Sequence, residues 1–110
     1  LEYACHVAGA KLILVLGHTA CGAVTAATQK VELGNITALL SKIAPVVDRF
    51  DAEVAMDEVV VDEVAEQNVR HSMERIRKES AILQEMEQAG KILIKGAMYD
   101  VATGKVRFLD

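Results

Sequence analysis

His18 and Cys21 are the residues of this chain whose types and spacing most directly suggest chemistry. Zinc binds an imidazole nitrogen at about 2.0 Å and a thiolate sulfur at about 2.3 Å, so two donors sharing one ion lie within about 4 Å of each other. A tight turn brings positions three apart that close. The pair stands in Gly17-His18-Thr19-Ala20-Cys21-Gly22-Ala23, directly after the apolar run Lys11-Leu12-Ile13-Leu14-Val15-Leu16. Open α/β sheets hold their ligands at such a place, outside the carboxyl ends of the strands. Cys21 also falls where a following helix begins, and free amides and the dipole there favour a thiolate, the form that binds zinc. The same features suit a nucleophilic thiol assisted by His18. A His-x-x-Cys pair also arises by chance in ordinary turns. Spacing alone leaves these readings open.

The elements that must position the pair follow from the pattern. Leu1 to Ala8 reads as the last turns of a helix, ended by Gly9. Lys11 to Gly17 is a continuous apolar run of strand length, which predicts a strand buried on both faces of a parallel sheet. Small and apolar residues from Ala23 to about Glu32 suit a helix packed closely on that sheet. Ile36 to Phe50 reads as a further helix, kinked or split at Pro45, which lacks the donor and clashes with the preceding turn. A long helix is expected from about Met56 to Lys78, with Val60, Val61, Val64, Met73 and Ile76 on its buried face. Ser80 caps a short helix through Gln88, closed by Gly90. Lys91 to Met98 is the second strand, and Thr103-Gly104 turns the chain into an antiparallel strand over Lys105 to Leu109.

This order is α/β, a mainly parallel β-sheet flanked by helices, and residues 1–110 have the length of one domain. Two core strands leave uncovered the edge of a first strand that is apolar throughout. A further strand is therefore expected from residues preceding Leu1, or from another chain. The opening Leu1-Glu2-Tyr3-Ala4 reads as helix interior without a cap or an initiator Met, so the sheet is expected to be incomplete at the N-terminus.

Composition sets the class. A net charge of -4 argues against nucleic acid or an anionic membrane as the main partner. No apolar run approaches the ~20 residues of a membrane-spanning helix, and no basic segment leads into a signal-like apolar one. Two cysteines, Cys5 and Cys21, are too few for a disulfide scaffold, which points to a reducing, cytoplasmic setting.

The wider sequence goes beyond the pair. Leu1-Glu2-Tyr3-Ala4, then Lys11-Leu12-Ile13-Leu14-Val15-Leu16-Gly17-His18-Thr19-Ala20-Cys21-Gly22-Ala23-Val24, closely resembles the central motif of β-class carbonic anhydrases. Gly96-Ala97-Met98-Tyr99-Asp100-Val101-Ala102-Thr103-Gly104-Lys105-Val106 resembles that family's closing strand and hairpin, and Asn68-Val69 and Ser80-Ala81-Ile82-Leu83 fit its helical section. The resemblance implies a zinc ion held by a Cys, a His and a second Cys. His18 and Cys21 match the last two, and Gly22 is placed to help position substrate through its amide. The first Cys belongs to a Cys-x-Asp-x-Arg motif that nothing in these residues matches. The implied activity is reversible hydration of carbon dioxide to bicarbonate by the intact member, impaired in this chain alone. The family also implies a homo-oligomer, at least a dimer. The alternative is a catalytically silent domain of the same fold, kept for dimerisation or regulation.

The remaining candidates read as structural. The Lys11–Gly17 strand carries the chain roughly 23 Å, and a helix packing back from Gly9 to Cys5 recovers only about 6 Å. Cys5 is therefore expected to pack in the core rather than to serve as the third ligand. His6 and His71 fall in helices and read as surface or half-buried residues. Asp57, Glu58, Asp62, Glu63 and Glu66 repeat at helical spacing and read as a solvated face. Tyr99-Asp100, at the strand end, reads either as facing a cleft or as a structural turn, the second being the better fit.

Overall fold

A computed structural model of the chain describes residues 1–50 and 57–109. A π-helical turn, Tyr3–Val7, opens it. The turn stops before Gly9, whose φ of 82° is the left-handed region that favours glycine. Strand β1 is Leu12–His18, β2 is Leu93–Tyr99 and β3 is Val106–Leu109. They form one sheet in the order β1-β2-β3. The β1 and β2 strands run parallel, in register from Leu12 opposite Leu93 to His18 opposite Tyr99. The β3 strand returns antiparallel to β2, with Tyr99 opposite Val106. Both parallel strands thus end together, at His18 and Tyr99.

Helix α1 is Gly22–Thr28, shorter than the expected reach to Glu32. Its end is a Schellman motif: Lys30 N–H donates to the Ala27 carbonyl and Val31 N–H to the Ala26 carbonyl. Lys30 itself takes the left-handed φ of 56° there, a position where the sequence offers no glycine to announce the stop. The segment around Pro45 does split, into α2, Ile36–Leu40, and α3, Ala44–Val47. Pro45 sits in the first turn of α3, where its missing N–H is not needed.

Helix α4 is Glu58–Glu79. The expected start at Met56 lies outside the described residues. The Asp57 side chain caps α4 by accepting from Val60 N–H at 3.0 Å. Helix α5 is Ala81–Gln88, capped as expected by Ser80, whose hydroxyl accepts from Leu83 N–H. The buried face of α4 is Val61, Val64, Ala65 and Val69. Of the expected set Val60, Met73 and Ile76 are only partly buried, while Ala65 and Val69 take their place at the centre.

Two glycines let side chains of α4 approach the sheet closely. A Cβ at Gly17 would stand 2.6 Å from Val69 Cγ2 and 2.8 Å from Met98 Sδ. One at Gly96 would stand 2.6 Å from Met73 Sδ and 2.9 Å from Val69 Cγ1. Val69 is seated between the two strands where neither has a side chain. Ile13, Ile94 and Met98 continue this covered face, with Cys5 and Leu83 packed at its lower end.

The opposite face differs from the expectation. The pattern predicts a β1 buried on both sides, yet Leu12, Leu14 and Leu16 are 53%, 43% and 52% exposed. Leu93 and Phe108 continue the open surface across β2 and β3. The physical reason is that β1 is an edge strand of this sheet and, among the described residues, no element lies over its outer face. The apolar run is intrinsically fit for a second layer that these residues do not supply.

Candidate metal centre

The site begins with the last residue of β1. His18 is exposed, and its ring Nδ1 lies 2.8 Å from the Thr19 carbonyl oxygen. In the tautomer that donates to that oxygen, Nε2 carries the free lone pair, the arrangement a metal-binding imidazole uses. Thr19 and Ala20 form the turn that follows. Ala20 has a φ of 53°, a left-handed conformation that costs an ordinary L-residue about 1 kcal/mol or more.

Three hydrogen bonds hold this turn from outside it. Thr19 N–H donates to the Tyr99 carbonyl at 3.0 Å, extending the β1–β2 ladder by one bond. Val101 N–H donates to Thr19 Oγ1 at 3.1 Å, tying the turn to the β2–β3 hairpin. Ala20 N–H donates to Asp62 Oδ1 at 2.9 Å, tying it to α4. Beyond the turn, Cys21 has extended backbone angles and occupies the cap position of α1. Its carbonyl accepts from Thr25 N–H at 2.9 Å and from Thr25 Oγ1 at 2.8 Å. The Cys21 side chain is partly buried against the core cluster around Val24 and Val64. Gly22 is the first residue of α1 and is exposed, and a Cβ there would meet nothing within 4 Å.

A cleft of about 620 Å³ opens beside the turn, lined by Thr19, Asp62, Glu66, Met98, Asp100 and Arg107. Glu66 accepts from Arg107 at 2.9 Å and from Arg70 at 3.4 Å. The Arg107 hydrogen bond is the main reason its carboxyl is held below the ordinary glutamate value, against a smaller opposing effect of burial. Asp100 shapes the hairpin, its carboxylate accepting from Ala102 N–H at 2.9 Å, and also lines the cleft, while Tyr99 is the last residue of β2.

The chain therefore places His18 and Cys21 at the two ends of one braced turn, at the carboxyl edge of the sheet. Cys5 is elsewhere, 4% exposed and packed with Ile13, Leu83 and Ile92. His6 is exposed in the opening turn and His71 is half-buried in α4. Among the described residues no three of His, Cys, Asp and Glu converge on one point. A zinc site takes at least three protein ligands. The donor chemistry of His18 and Cys21 fits two of them.

The fold and the whole length of the sequence answer what the pair alone leaves open. The sequence profile of the family described as "Carbonic anhydrase" matches residues 1–106. This chain belongs to the carbonic anhydrase family. A carbonic anhydrase of Mycolicibacterium smegmatis is 29% identical over 110 residues, covering 96% of this chain and 52% of that protein. The crystal structure of the β-carbonic anhydrase CafA of Aspergillus fumigatus superposes with a TM-score of 0.85 at 29% identity, covering 99% of this chain and 53% of that one. One of two tetrameric β-carbonic anhydrases from Sordaria macrospora shares the fold with a TM-score of 0.86 at 21% identity, covering 98% and 56%. The chain thus corresponds to part of a β-class carbonic anhydrase and spans about half the length of the relatives it matches.

Within this carbonic anhydrase chain, the residues that sequence reasoning missed are the braces. In sequence Asp62 belongs to a solvated face, and its partner Ala20 is 42 positions away, so no local pattern reveals the bond. Gly17 did carry a signal: a glycine inside a strand marks close approach of another element.

Proposed function

We propose that the protein hydrates carbon dioxide reversibly to bicarbonate at a zinc ion, with His18 Nε2 and Cys21 Sγ as two of the protein ligands. Bound zinc would supply Lewis acidity that makes hydroxide available from water, and thiolate ligation would shift that activity toward alkaline pH. The observation that carries the reading is the braced turn itself, with an imidazole and a thiol at its two ends inside a carbonic anhydrase fold. His18 holds its ring by the bond from Nδ1 to the Thr19 carbonyl and so aims one defined nitrogen. Cys21 is fixed by the cap of α1, and the Gly22 amide, which has no intrahelical partner, orients the substrate oxygen. The third ligand comes from outside the described residues, and residues 1–110 alone are impaired in catalysis. The acting unit is a homo-oligomer in the cytoplasm. The open apolar face of the sheet and the unpaired edge of β1 support the association. No described helix is long and apolar enough to cross a membrane.

A second reading is favoured by one observation: among the described residues, no third His, Cys, Asp or Glu joins His18 and Cys21. It is a silent carbonic-anhydrase-like domain that serves dimerisation or regulation. Stopped-flow hydration of carbon dioxide at alkaline pH separates the two, run on the zinc-loaded protein at its natural length and on residues 1–110 of verified mass. The catalytic reading requires turnover from the natural-length protein that Cys21→Ser abolishes, and little or none from residues 1–110. Absence of turnover at natural length, with zinc bound, establishes the silent domain instead.

A further inference from the structure

We infer that Asp62 is a positioning residue for the His18–Cys21 pair, acting through the backbone of Ala20; the inference rests on the reading of that pair as metal ligands. Asp62 is not itself a ligand, because no third His, Cys, Asp or Glu converges with the pair among the described residues. Its carboxylate Oδ1 instead accepts from Ala20 N–H at 2.9 Å. That amide belongs to the one residue of the turn with a left-handed φ, 53°, and it is neither Gly nor Asn. An alanine left to itself relaxes toward negative φ. Such a relaxation rotates the peptide that leads directly into Cys21 and moves the thiol relative to the imidazole. A charge-assisted hydrogen bond to the Ala20 amide opposes it.

The brace is placed by the fold rather than by the turn. Asp62 sits between Val61 and Val64, which are 5% and 0% exposed, so its stretch of α4 is anchored in the core. The same helix is seated on the sheet by Val69 over Gly17, the residue before His18. Asp62 therefore transmits the height of α4 above the sheet to the loop that carries both donors. Thr19, bound by the hairpin at Val101, holds the same loop from the other side. Only an acceptor is required at Asp62 Oδ1, so an asparagine carbonyl can replace it and an alanine cannot.

The test uses Asp62→Ala, Asp62→Asn and Asp62→Glu in the chain described, each checked for folding by circular dichroism. The glutamate variant keeps the charge and shifts the acceptor by one methylene, so it carries the test should the alanine variant unfold. Cobalt(II) is the probe, followed by its thiolate charge-transfer band, together with hydrogen exchange of the Ala20 amide. Asp62→Ala is expected to expose the Ala20 amide to exchange and to weaken cobalt binding by roughly 10–100-fold, the usual effect of losing a group that orients a ligand. Asp62→Asn is expected to keep both close to the unsubstituted chain. Faster exchange with unchanged cobalt affinity and an unchanged band overturns the inference, since a merely structural bond behaves that way. Should the unsubstituted chain give no cobalt–thiolate band, two donors do not retain the metal, and the alkylation rate of Cys21 by iodoacetamide decides positioning alone. Cys5 is buried and leaves Cys21 as the accessible thiol. A rate raised by Asp62→Ala and restored by Asp62→Asn supports the inference, and equal rates overturn it.

Discussion

At the residue scale, the acidic positions along α4 repay individual attention to their partners. Asp57 caps the helix, Asp62 braces the turn and Glu66 bridges to Arg70 and Arg107, whereas a single solvated face was expected. Periodicity revealed that they share a helix surface, but not which backbone or cation another element would bring to it. Two of the chain's glutamates give a pH signature. Glu87 receives a paired hydrogen bond from Arg77, at 2.8 Å to each oxygen, and Glu66 receives one from Arg107. These bonds hold both carboxyls below the ordinary glutamate value. A depressed carboxyl pKa contributes stability that is present above the unfolded value, about 4.3, and is lost as pH falls through the folded one. Denaturant titrations of wild type and Glu87→Gln are therefore expected to differ at pH 7 and to converge as pH falls through the depressed folded value. The difference at pH 7 is at most about 1 kcal/mol, because the pair is partly exposed and screened. A Glu87→Gln penalty that persists undiminished in acid contradicts the assignment.

At the scale of elements, the strands, the Pro45 split and the Ser80 cap were legible, because each rests on local pattern or on one residue's covalent geometry. The early end of α1 was not, since Lys30 adopts by tertiary context a conformation that sequence reserves for glycine. The seating of α4 over Gly17 and Gly96 was not legible either, because it depends on the meeting of Val69 with two strands that are distant in sequence. It makes a sharp prediction. Gly17→Ala puts a methyl 2.6 Å from a valine branch that has no free rotation to escape, and overpacking of this kind costs roughly 1–3 kcal/mol. The added Val69→Ala substitution opens that space, so the double variant is expected to be less destabilised than the two single changes summed. Thermal melts of the four proteins check this, and simple additivity excludes a shared contact as the cause. The same melts, repeated with cobalt, link packing to the site, because α4 carries Asp62.

At the scale of the whole molecule, the α/β class and the need for further covering were both readable from one apolar strand. Lys11 to Leu16 carries no polar break, and a strand of that kind belongs under two layers. The structure supplies one layer, α4, and leaves Leu12, Leu14 and Leu16 open beside Leu93 and Phe108. An apolar sheet face with an unpaired edge promotes association. Sedimentation at micromolar concentration is expected to show at least a dimer, and Leu14→Lys, at the middle of the open face, to shift the population toward monomer without loss of helix content. A well-folded monomer at that concentration, with Leu14 intact, counts decisively against it.

The central claim is that His18 and Cys21 share one zinc ion and that the described residues offer it no third ligand. Zinc K-edge X-ray absorption on the zinc-loaded chain reads that claim most directly, since it counts sulfur and nitrogen neighbours without requiring turnover. The account predicts one sulfur at about 2.3 Å and one imidazole nitrogen at about 2.0 Å, with light oxygen scatterers completing the shell. The sulfur is expected to vanish in Cys21→Ser and the imidazole signal in His18→Ala. A shell with no sulfur, or with two, contradicts the account.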